Sequence, residues 1–418
     1  MHILYVSQYF PPEPGAPAAR VSELAKEWAK AGHAVTVLTG MPNHPSGVIH
    51  DGYRGRAFVE ENYHGVRVMR TWIYAAANRG RVRRSLGYAS FAASAVVWGQ
   101  LFTRRPDVIV ATSPQFLCAV AGHAIATLRR TPFVFEVRDL WPESIVAVGV
   151  LPADHWLVRS LEKVESHLYR VARKIVVVTD SFRERLLERG VDGTKIEVVK
   201  NGVDLDRFAP LSRETRLRAR LAYGSRFVVS YVGTLGMAHA LDGVLDVASS
   251  LRERDDIHFL FVGDGAERQR LEGRSKAEGL SNVTFLGALP RDEMNEVYAT
   301  SDVCLVPLRK TELFRTVIPS KIFEILAMSR PLILSVDGEA RSIVEASGGG
   351  IFVPPEDAAR MREAILDLAS DRERCTSMGM AGRRFVIESF DRRRLAREYL
   401  TLLEQVAGRA SAASLRAA

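Results

Sequence analysis

Residues 226–233 read RFVVSYVG, a short apolar run that closes on a glycine. A similar run, HILYVS, stands at residues 2–7, so a series of strand-like segments begins twice. Amphipathic segments such as AARVSELAKEWAKA (18–31) separate these runs. Alternation of short buried strands with helices is typical of parallel α/β sheets. The second start, after about residue 225, therefore predicts two doubly wound sheets rather than one.

Each half of the chain has its own strand candidates. They are residues 2–7, 34–39, 107–113, 132–137 and 174–179, then 226–233, 258–265, 282–287, 302–308, 331–336 and 349–354. Between the two sets, VVKNGVDLDRFAP (198–210) carries an Asn-Gly turn and Pro210, which indicates a boundary. We predict one domain over residues 1–205 and another over 206–390. In open α/β sheets ligands bind at the carboxyl ends of strands, so we expect a central cleft to hold them.

The composition is that of a soluble globular protein. Of 418 residues, 47% are hydrophobic and 25% charged, and Cys118, Cys304 and Cys375 match no zinc or redox spacing. We therefore expect a reducing, cytoplasmic compartment and, with no basic segment before the first strand, no signal peptide. SLGYASFAASAVVWGQLFT (85–103) is uncharged over nearly a spanning length. A buried helix is favoured there; a membrane-surface helix and a true span are the alternatives.

Positive charge is concentrated in one region. The net charge is +8, and residues 54–105 contain ten arginines against two glutamates. Basic residues beside an apolar helix suit an anionic membrane surface or a polyphosphate. A solvated arginine-rich loop is the simpler interpretation. Nucleic acid is not expected as a partner, because no recognition module is visible.

The stretch FRTVIPSKIFEILAM (314–328) carries the strongest chemical signal. Pro319 ends a loop and Ser320 is a natural N-cap, so Lys321 and Glu324 fall in the first turn of a helix. Glu324 there could simply complement the helix dipole, but a cation at that end is unfavourable unless an anion lies in front of it. A diphosphate held by Lys321, with its ribose diol on Glu324, would explain both residues.

Three strand-to-helix loops are rich in small residues, which let a ligand approach the backbone. SQYFPPEPGAPAARVSELA (7–25) contains Gly15 and Ala16, and FVGDGAERQRLE (261–272) contains Gly263 and Gly265. VGTLGMAHALDGVL (232–245) supplies Gly233, Thr234, Gly236 and His239. Each loop taken alone is equally compatible with an ordinary βα turn.

A fourth stretch, FEVRDLWPESI (135–145), follows an apolar strand with a dense set of charges. These are Glu136, Arg138, Asp139 and Glu143, and Trp141 among them offers an apolar face of the kind that stacks on sugars. Charge concentrated at the carboxyl end of a strand favours a functional role.

Taken together and in order, these stretches resemble the family 4 glycosyltransferases, which are retaining enzymes of the GT-B fold that use nucleotide-activated sugars. The resemblance covers nearly the whole chain, and its order and spacing, rather than any one motif, make it specific. PNHPSG (42–47) and EVRDLWPES (136–144) are similar to the subfamily that includes the bacterial N-acetylfucosaminyl transferases of cell-surface polysaccharide assembly.

The resemblance implies a role for each stretch. Lys321, Glu324, Arg138 and Asp139 would form the catalytic set, and Asn43, His44, Arg138 and Trp141 would face the acceptor. The donor would be bound by Gly15, Ala16, Gly233, Thr234, Gly236, His239, Gly263, Gly265, Thr316, Ser320, Lys321 and Glu324. The C-terminal segment 391–418 would return to the first domain through a helix at 391–406.

Two departures from the broad family concern the phosphate site. That family has two glutamates eight positions apart, and here Thr316 stands where the first would be. It also places an Arg and a Lys after the first donor-domain strand, where this chain has Thr234 and His239. The N-acetylfucosaminyl-like subfamily resembles this chain in both respects. Either Lys321 and nearby Arg315 supply the charge, or the donor sugar is held differently.

The expected activity is transfer of a UDP-linked sugar to an acceptor hydroxyl with retention, and an N-acetylated amino sugar is one candidate for the donor. The acceptor would be a glycan or a lipid-linked glycan at the inner face of the membrane, and no metal cofactor is expected. A nucleotide-sugar 2-epimerase of the same fold and a basic module that binds anionic lipid or polysaccharide are the alternatives. A dinucleotide-dependent oxidoreductase is disfavoured, because no G-x-G-x-x-G follows the first strand.

Overall fold

The chain folds into two units, each built on one sheet. Unit 1 comprises Met1–Asn201 and Arg392–Ala418, and unit 2 comprises Gly202–Asp391. The computed structural model describes residues 1–44, 46–75, 81–113, 115–143, 146, 152, 154–290 and 293–408. Pro45, residues 79–80 of the arginine-rich region, residues 144–145 of the acceptor-side stretch and the tail 409–418 lie outside the described residues.

Unit 1 contains an eight-stranded sheet and unit 2 a six-stranded sheet. The strands of unit 1 are β1 (His2–Val6), β2 (Ala34–Gly40), β3 (Phe58–Tyr63), β4 (Val66–Thr71), β5 (Val108–Thr112), β6 (Phe133–Val137), β7 (Lys174–Val177) and β8 (Ile196–Val198). Those of unit 2 are β9 (Phe227–Val232), β10 (Ile257–Val262), β11 (Val283–Gly287), β12 (Val303–Pro307), β13 (Leu332–Ser335) and β14 (Gly350–Phe352).

Helices connect the strands and cover both faces of each sheet. In unit 1 they are α1 (Ala16–Lys30), α2 (Arg81–Phe102), α3 (Phe116–Arg129), α4 (Trp156–Val171), α5 (Asp180–Glu188) and, from the end of the chain, α14 (Arg392–Val406). In unit 2 they are α6 (Arg216–Arg220), α7 (Leu241–Ser250), α8 (Arg268–Ala277), α9 (Met294–Thr300), α10 (Lys321–Ala327), α11 (Glu339–Ser347), α12 (Ala358–Ser370) and α13 (Arg372–Ser389).

The strands of both sheets are apolar on both faces because helices lie on both faces. In β1, Leu4 and Val6 belong to one hydrophobic cluster, whereas Ile3 and Tyr5 belong to another. All four side chains are fully buried. Successive residues of a strand point to opposite faces, so a strand buried on both sides reads as one continuous apolar run. This is why the sequence signal for these strands is strong.

Strand order places the ligand-binding edge of each sheet. The order is β3-β4-β2-β1-β5-β6-β7-β8 in unit 1 and β11-β10-β9-β12-β13-β14 in unit 2. Apart from β3, which pairs antiparallel with β4, neighbouring strands are parallel. The direction of winding reverses between β1 and β5 and between β9 and β12, which is where doubly wound sheets bind ligands. The prediction of two Rossmann-like sheets is confirmed.

The last helix of the chain packs within unit 1, against α1. The indole Nε1 of Trp28 donates a hydrogen bond to the Ala396 carbonyl at 2.9 Å, and the Trp28 ring meets the edge of Tyr399 at 5.3 Å. Arg392, the first residue of α14, pairs with Glu23 of α1. Helix α14 thus completes the apolar face of unit 1 on the α1 side.

Helix α2 contains the uncharged segment considered above as a membrane element. It lies against α3, where Gly99 leaves room for the Ile125 side chain. Phe91 and Ala95 are buried, while Val97 and Leu101 are exposed. Among the residues described, no helix combines the length and the apolar character needed to cross a membrane.

Strands β3 and β4 are not among the strands predicted from the sequence, and for β8 only the end of a strand near residue 198 was predicted. The first two form a hairpin whose turn, His64-Gly65, has positive φ at both residues (52° and 86°). A two-residue turn of this kind matches the twist of the flanking strands. Strand β8 has three residues and follows a short 3₁₀ helix, which leaves little pattern to detect.

Candidate functional site

Lys321 lies at the first position of α10, after the loop that follows β12. Its ammonium nitrogen sits 4.3 Å from the centre of the Tyr231 ring, a cation–π arrangement. Burial lowers the pKa of Lys321 to about 8, although the negative charge of Glu324 opposes the shift. No acceptor among the described residues lies within hydrogen-bond or ion-pair distance of this nitrogen. The ammonium group is therefore held in place without a direct anionic partner in the part of the chain that the structure describes.

Gly233, at the end of β9, makes room for that ammonium group. A Cβ at this position would lie 2.6 Å from the Lys321 nitrogen, and the backbone has φ of 137°. An L side chain rarely adopts this conformation and would occupy the space of the lysine head. The glycine of the 232–245 loop and the lysine of the 314–328 stretch thus meet at one point.

His239 and Thr234 complete the same loop. The Tyr231 hydroxyl donates to the Thr234 carbonyl at 2.6 Å, and the His239 ring meets Tyr231 at 5.9 Å between centres. Burial, helped by the positive charge of Lys321, lowers the pKa of His239 to about 4. Its Nδ1 lies 3.3 Å from the Gly236 carbonyl, which can only accept, so this nitrogen carries the proton. Nε2 is then left as an acceptor on a neutral ring.

Glu324 lies three residues beyond Lys321 on α10 and is positioned by α9. The hydroxyl of Tyr298 donates to Glu324 Oε2 at 2.8 Å. Tyr298 is buried, and burial together with the neighbouring carboxylate raises the pKa of its hydroxyl well above the usual range. The carboxylate therefore has a fixed orientation at the start of the helix.

The expected capping of α10 by Ser320 is not observed. Ser320 occupies the N-cap position, but its side chain makes no capping hydrogen bond. The amides of Ile322 and Phe323 donate instead to the carbonyls of Pro319 and Ser320, at 3.1 and 3.2 Å. Because these first-turn amides already have acceptors, they are less able to receive an anion than the sequence analysis assumed. The positive charge at this point comes from the side chain of Lys321.

Two further residues of this loop are engaged locally. The Thr316 hydroxyl donates to the Leu313 carbonyl at 2.8 Å within its own 3₁₀ turn. Arg315 is exposed and pairs with Glu312 at 3.2 Å and more distantly with Asp337. The charge of Arg315 is thus partly neutralised, which leaves Lys321 as the principal cation of the cluster.

Gly263 and Gly265 serve the packing of two loops. A Cβ on Gly263 would lie 1.8 Å from the Gly233 carbonyl oxygen, and one on Gly265 would lie 2.3 Å from the Leu235 carbonyl oxygen. The loops after β9 and β10 therefore approach backbone to backbone. This geometry accounts for both glycines, and their contact with a nucleotide stays a prediction.

In unit 1, a buried ion pair lies at the carboxyl end of β6. Arg20 of α1 donates to Glu136 at 2.9 Å, and the Tyr5 hydroxyl donates to the other carboxylate oxygen at 2.6 Å. Burial alone would raise the pKa of Glu136, but the positive charges of Arg20 and Arg138 outweigh it and lower the pKa. Arg20 also donates to the backbone carbonyls of residues 199 and 200. Glu136 is therefore a structural carboxylate.

Arg138 and Asp139 follow that ion pair. Their backbone amides donate to the Ser113 hydroxyl at 2.7 and 3.3 Å, which fixes the turn after β6. The Arg138 guanidinium donates to the Pro17 carbonyl at 3.4 Å, and its Nε is buried with no partner among the described residues. Burial lowers the pKa of Arg138, although Glu136 opposes the shift. The Arg138 guanidinium thus retains donor capacity.

The remaining acceptor-side residues surround Glu13, which the sequence analysis did not single out. Its Oε1 accepts from the amides of Asn43 and His44, both at 2.9 Å, and its Oε2 accepts from the Phe10 amide. This buried carboxylate ties the loop after β2 to the loop after β1. Gly15, with φ of 108°, and the exposed Ala16 then lead into α1.

Trp141 and Glu143 are engaged in packing and ion pairing. The Trp141 ring stacks on Phe116 at 5.4 Å, so one of its faces is covered. Glu143 pairs with Arg185 at 3.0 Å and with Arg189. Within the described part of the chain, no three His, Cys, Asp or Glu side chains are grouped to hold a metal ion.

Comparison with known proteins assigns both units. Residues 15–202 match the model of the glycosyl transferase 4-like domain, and residues 226–371 match that of the glycosyl transferases group 1. A sucrose-phosphate synthase from Thermosynechococcus elongatus superposes with a TM-score of 0.76 at 21% identity, covering 97% of this chain and 99% of that one. The chain carries the two domains of a GT-B glycosyltransferase.

One further relative and one further solved structure are similar to this chain. It is 24% identical over 383 residues to the putative colanic acid biosynthesis glycosyl transferase WcaI of Escherichia coli, covering 88% of this chain and 92% of the relative. Anabaena HepE, solved in complex with UDP and glucose, superposes with a TM-score of 0.73 at 17% identity, covering 96% of this chain and 99% of that one.

Proposed function

We propose that the chain transfers a sugar from a nucleoside diphosphate to an acceptor hydroxyl, and that the diphosphate binds beside Lys321 in unit 2. The observation that carries this proposal is an ammonium group at the ligand-binding edge of the sheet, held over Tyr231 and given space by Gly233. Such a cation lacks an anion within contact distance among the described residues. A diphosphate would supply one.

The chemistry requires stabilisation of the charge that develops on the leaving diphosphate. A fixed donor aimed at such charge lowers a barrier by about 3–4 kcal/mol. Lys321 is this donor in the proposal, and the exposed Thr234 hydroxyl and the backbone of residues 233–236 add neutral contacts. The departing phosphate oxygen takes the acceptor proton, so no general base is assigned, and the anomeric configuration is retained.

Glu324 and His239 then face the neutral parts of the donor. The carboxylate, oriented by Tyr298, accepts hydrogen bonds from the ribose diol. His239 cannot replace the missing phosphate cation, because its ring is neutral at physiological pH. Its Nε2 instead accepts a hydrogen bond from a sugar hydroxyl. In the described part of unit 2, the proposed donor site thus depends on Lys321 for its positive charge.

The finer assignments rest on the relatives. We propose UDP as the nucleotide, supported by the UDP found in HepE. We also propose a glycan acceptor of surface polysaccharide assembly, supported by the similarity to WcaI, a putative glycosyl transferase of colanic acid biosynthesis. The donor sugar is proposed to be an N-acetylated amino sugar, from the resemblance of the 136–144 stretch. Arg138 and Asp139, with Asn43 and His44, would hold the acceptor.

We also propose a peripheral location at the cytoplasmic face of the membrane, because the arginine-rich region 54–105 suits an anionic surface. Three of its arginines are already paired: Arg54 with Asp51, Arg67 with Glu60, and Arg70 with Glu61. Arg83, Arg104 and Arg105 are exposed and carry this part of the proposal.

The variant Lys321→Ala tests the site. We expect UDP affinity, measured by calorimetry, to fall at least tenfold, because a hydrogen bond to a charged group contributes about 1.5–3 kcal/mol. Turnover of a UDP-sugar should fall further, while the melting temperature stays close to that of the parent. Lys276→Ala, an exposed lysine on α8, is the matched control and should bind UDP normally. UDP binding by Lys321→Ala equal to that of the parent would refute the assignment.

A further inference from the structure

Unit 1 has a groove at the edge of its sheet where strands β6 and β7 begin. It lies where α3 leads into β6 and α4 leads into β7, and its volume is about 770 Å³. Strands β6 and β7 are parallel, so their amino ends lie together at this edge. A five-residue strand spans about 16 Å, which separates the groove from the acceptor residues that follow the carboxyl ends. The groove is thus distinct from the proposed transfer site.

The charged side chains that line this groove are predominantly cationic. They include Arg130, Arg170, Arg173, Lys174 and Lys195, against one acid, Asp192. A concave surface with one sign of charge concentrates counter-ions from solution. The groove therefore favours anions from solution.

Two of the cations and the acid are used within the protein. The Lys174 ammonium donates to Glu197 at 2.7 Å and to the Thr194 carbonyl at 2.9 Å. The Lys195 ammonium donates to the Arg170 carbonyl at 2.7 Å, and Asp192 accepts from the amide and hydroxyl of Thr194. These hydrogen bonds stabilise the side of the groove, and they do not involve the guanidinium groups of the arginines.

The three arginines of the groove differ from these two lysines in their contacts. The guanidinium groups of Arg130, Arg170 and Arg173 have no hydrogen-bond acceptor or ion-pair partner among the described residues, and all three side chains are exposed. Arg130 is the C-cap residue of α3 and has φ of 52°. This left-handed conformation is usually adopted by glycine. Such a conformation is unfavourable for a residue with a side chain. An arginine in that position is consistent with a function that needs its side chain.

We propose that this groove, defined by Arg130, Arg170 and Arg173, binds a phosphate-bearing ligand. Guanidinium groups present planar forks of N–H donors that match phosphate oxygens, and charge-assisted bonds of this kind are strong. The ligand is a soluble phosphorylated compound or the headgroup of an anionic phospholipid, since both present the same chemistry. The phospholipid headgroup is included because two exposed apolar side chains flank the arginines in the chain. They are Leu128, which is 65% exposed, and Val171.

The same edge continues toward the arginine-rich region. The Arg105 guanidinium donates to the Arg130 carbonyl at 2.9 Å, which joins the loop before β5 to the groove. Leu101, 68% exposed, and Phe102 precede that loop. The proposal therefore refines where unit 1 meets an anion, and it does not depend on the identity of the sugar donor.

The test compares two charge-matched double variants. Arg170→Gln/Arg173→Gln removes two guanidinium groups from the groove, whereas Arg159→Gln/Arg183→Gln removes two exposed arginines of α4 and α5 that do not line it. Inorganic pyrophosphate is titrated by calorimetry at about 0.15 M salt, where charges beyond roughly 8 Å are screened. UDP is kept saturating, so that the proposed donor site is occupied.

We expect the parent and the control variant to bind pyrophosphate alike and the groove variant to bind at least tenfold more weakly. Flotation with phosphatidylglycerol and phosphatidylcholine vesicles separates the sources: binding to the anionic vesicles alone, lost in the groove variant, identifies the headgroup. Pyrophosphate binding without vesicle binding identifies a soluble ligand. Equal loss in both double variants, or no binding of either probe by the parent, overturns the proposal.

UDP binding is measured in a separate titration for the parent, the groove variant and the control variant. If the groove variant keeps normal UDP affinity, the two sites are independent, and a failure of one assignment leaves the other intact. Loss of UDP affinity in the groove variant together with a lowered melting temperature would show damage to unit 1, and would contradict a role limited to anion binding.

Discussion

Binding of UDP should weaken as pH rises through the pKa of Lys321. Burial lowers that pKa to about 8, so the lysine loses its charge in an accessible range. If only the protonated lysine holds the diphosphate, the apparent Kd increases as the inverse of the protonated fraction. The other groups of the cluster do not change in this range: His239 is already neutral, and burial raises the pKa of Tyr231 and Tyr298 well above the usual range.

The magnitude follows from the pKa. With a value of about 8, Lys321 is roughly one-tenth neutral at pH 7 and about nine-tenths neutral at pH 9. The apparent Kd for UDP should therefore rise about tenfold over this interval, which corresponds to about 1.4 kcal/mol. The terminal phosphate of UDP contributes little to this change, because the second pKa of a phosphate monoester lies near about 6.

The assay is calorimetric titration with UDP at half-unit steps from pH 7 to 9.5 and constant ionic strength. The parent and Lys276→Ala should show the rise. Lys321→Gln should bind weakly and show no slope, since its side chain does not titrate. A flat parent curve, or the same slope in Lys321→Gln, would show that another group controls the binding and that the lysine is not the phosphate ligand.

Two further predictions concern the geometry of each unit. Gly233→Ala places a methyl group 2.6 Å from the Lys321 nitrogen, so UDP affinity should fall at least tenfold in calorimetry while unit 1 is unaffected. Glu136→Ala leaves Arg20 buried without its carboxylate and should lower the free energy of unfolding of unit 1 by about 3–5 kcal/mol in urea titrations. Glu60→Ala, which breaks an exposed pair, should cost about 0–1 kcal/mol; equal losses would contradict the assignment of Glu136.

The fold class was predictable because the strongest signals are local. Strands buried on both faces, such as β1 and β9, read as apolar runs, and the second series of such runs indicated a second sheet. The β3–β4 hairpin was missed although His64-Gly65 is a recognisable turn, because strand β3 is half exposed and mixes charges with apolar residues. Such strands differ little from a loop when only composition is considered.

The site was predictable only in part. Lys321 and Glu324 were placed correctly in the first turn of a helix, but the contacts that position them come from Tyr231 and Tyr298, far away in the chain. Both tyrosines look like ordinary core residues in sequence. The bonds of the Ile322 and Phe323 amides were also invisible, because they depend on the backbone path of Pro319 and Ser320. The residues of the site could be recognised in the sequence, whereas the long-range contacts that position them could not.

The return of α14 to α1 has a consequence for synthesis of the protein. Unit 2 is an insertion: all of its residues leave the ribosome before the helix that completes unit 1. The inserted module can finish folding while the apolar strip around Trp28 still waits for Ala396 and Tyr399. Nascent chains stalled before residue 392 should therefore expose that strip to chaperones, and removal of the last helix should impair the first-made half rather than the second.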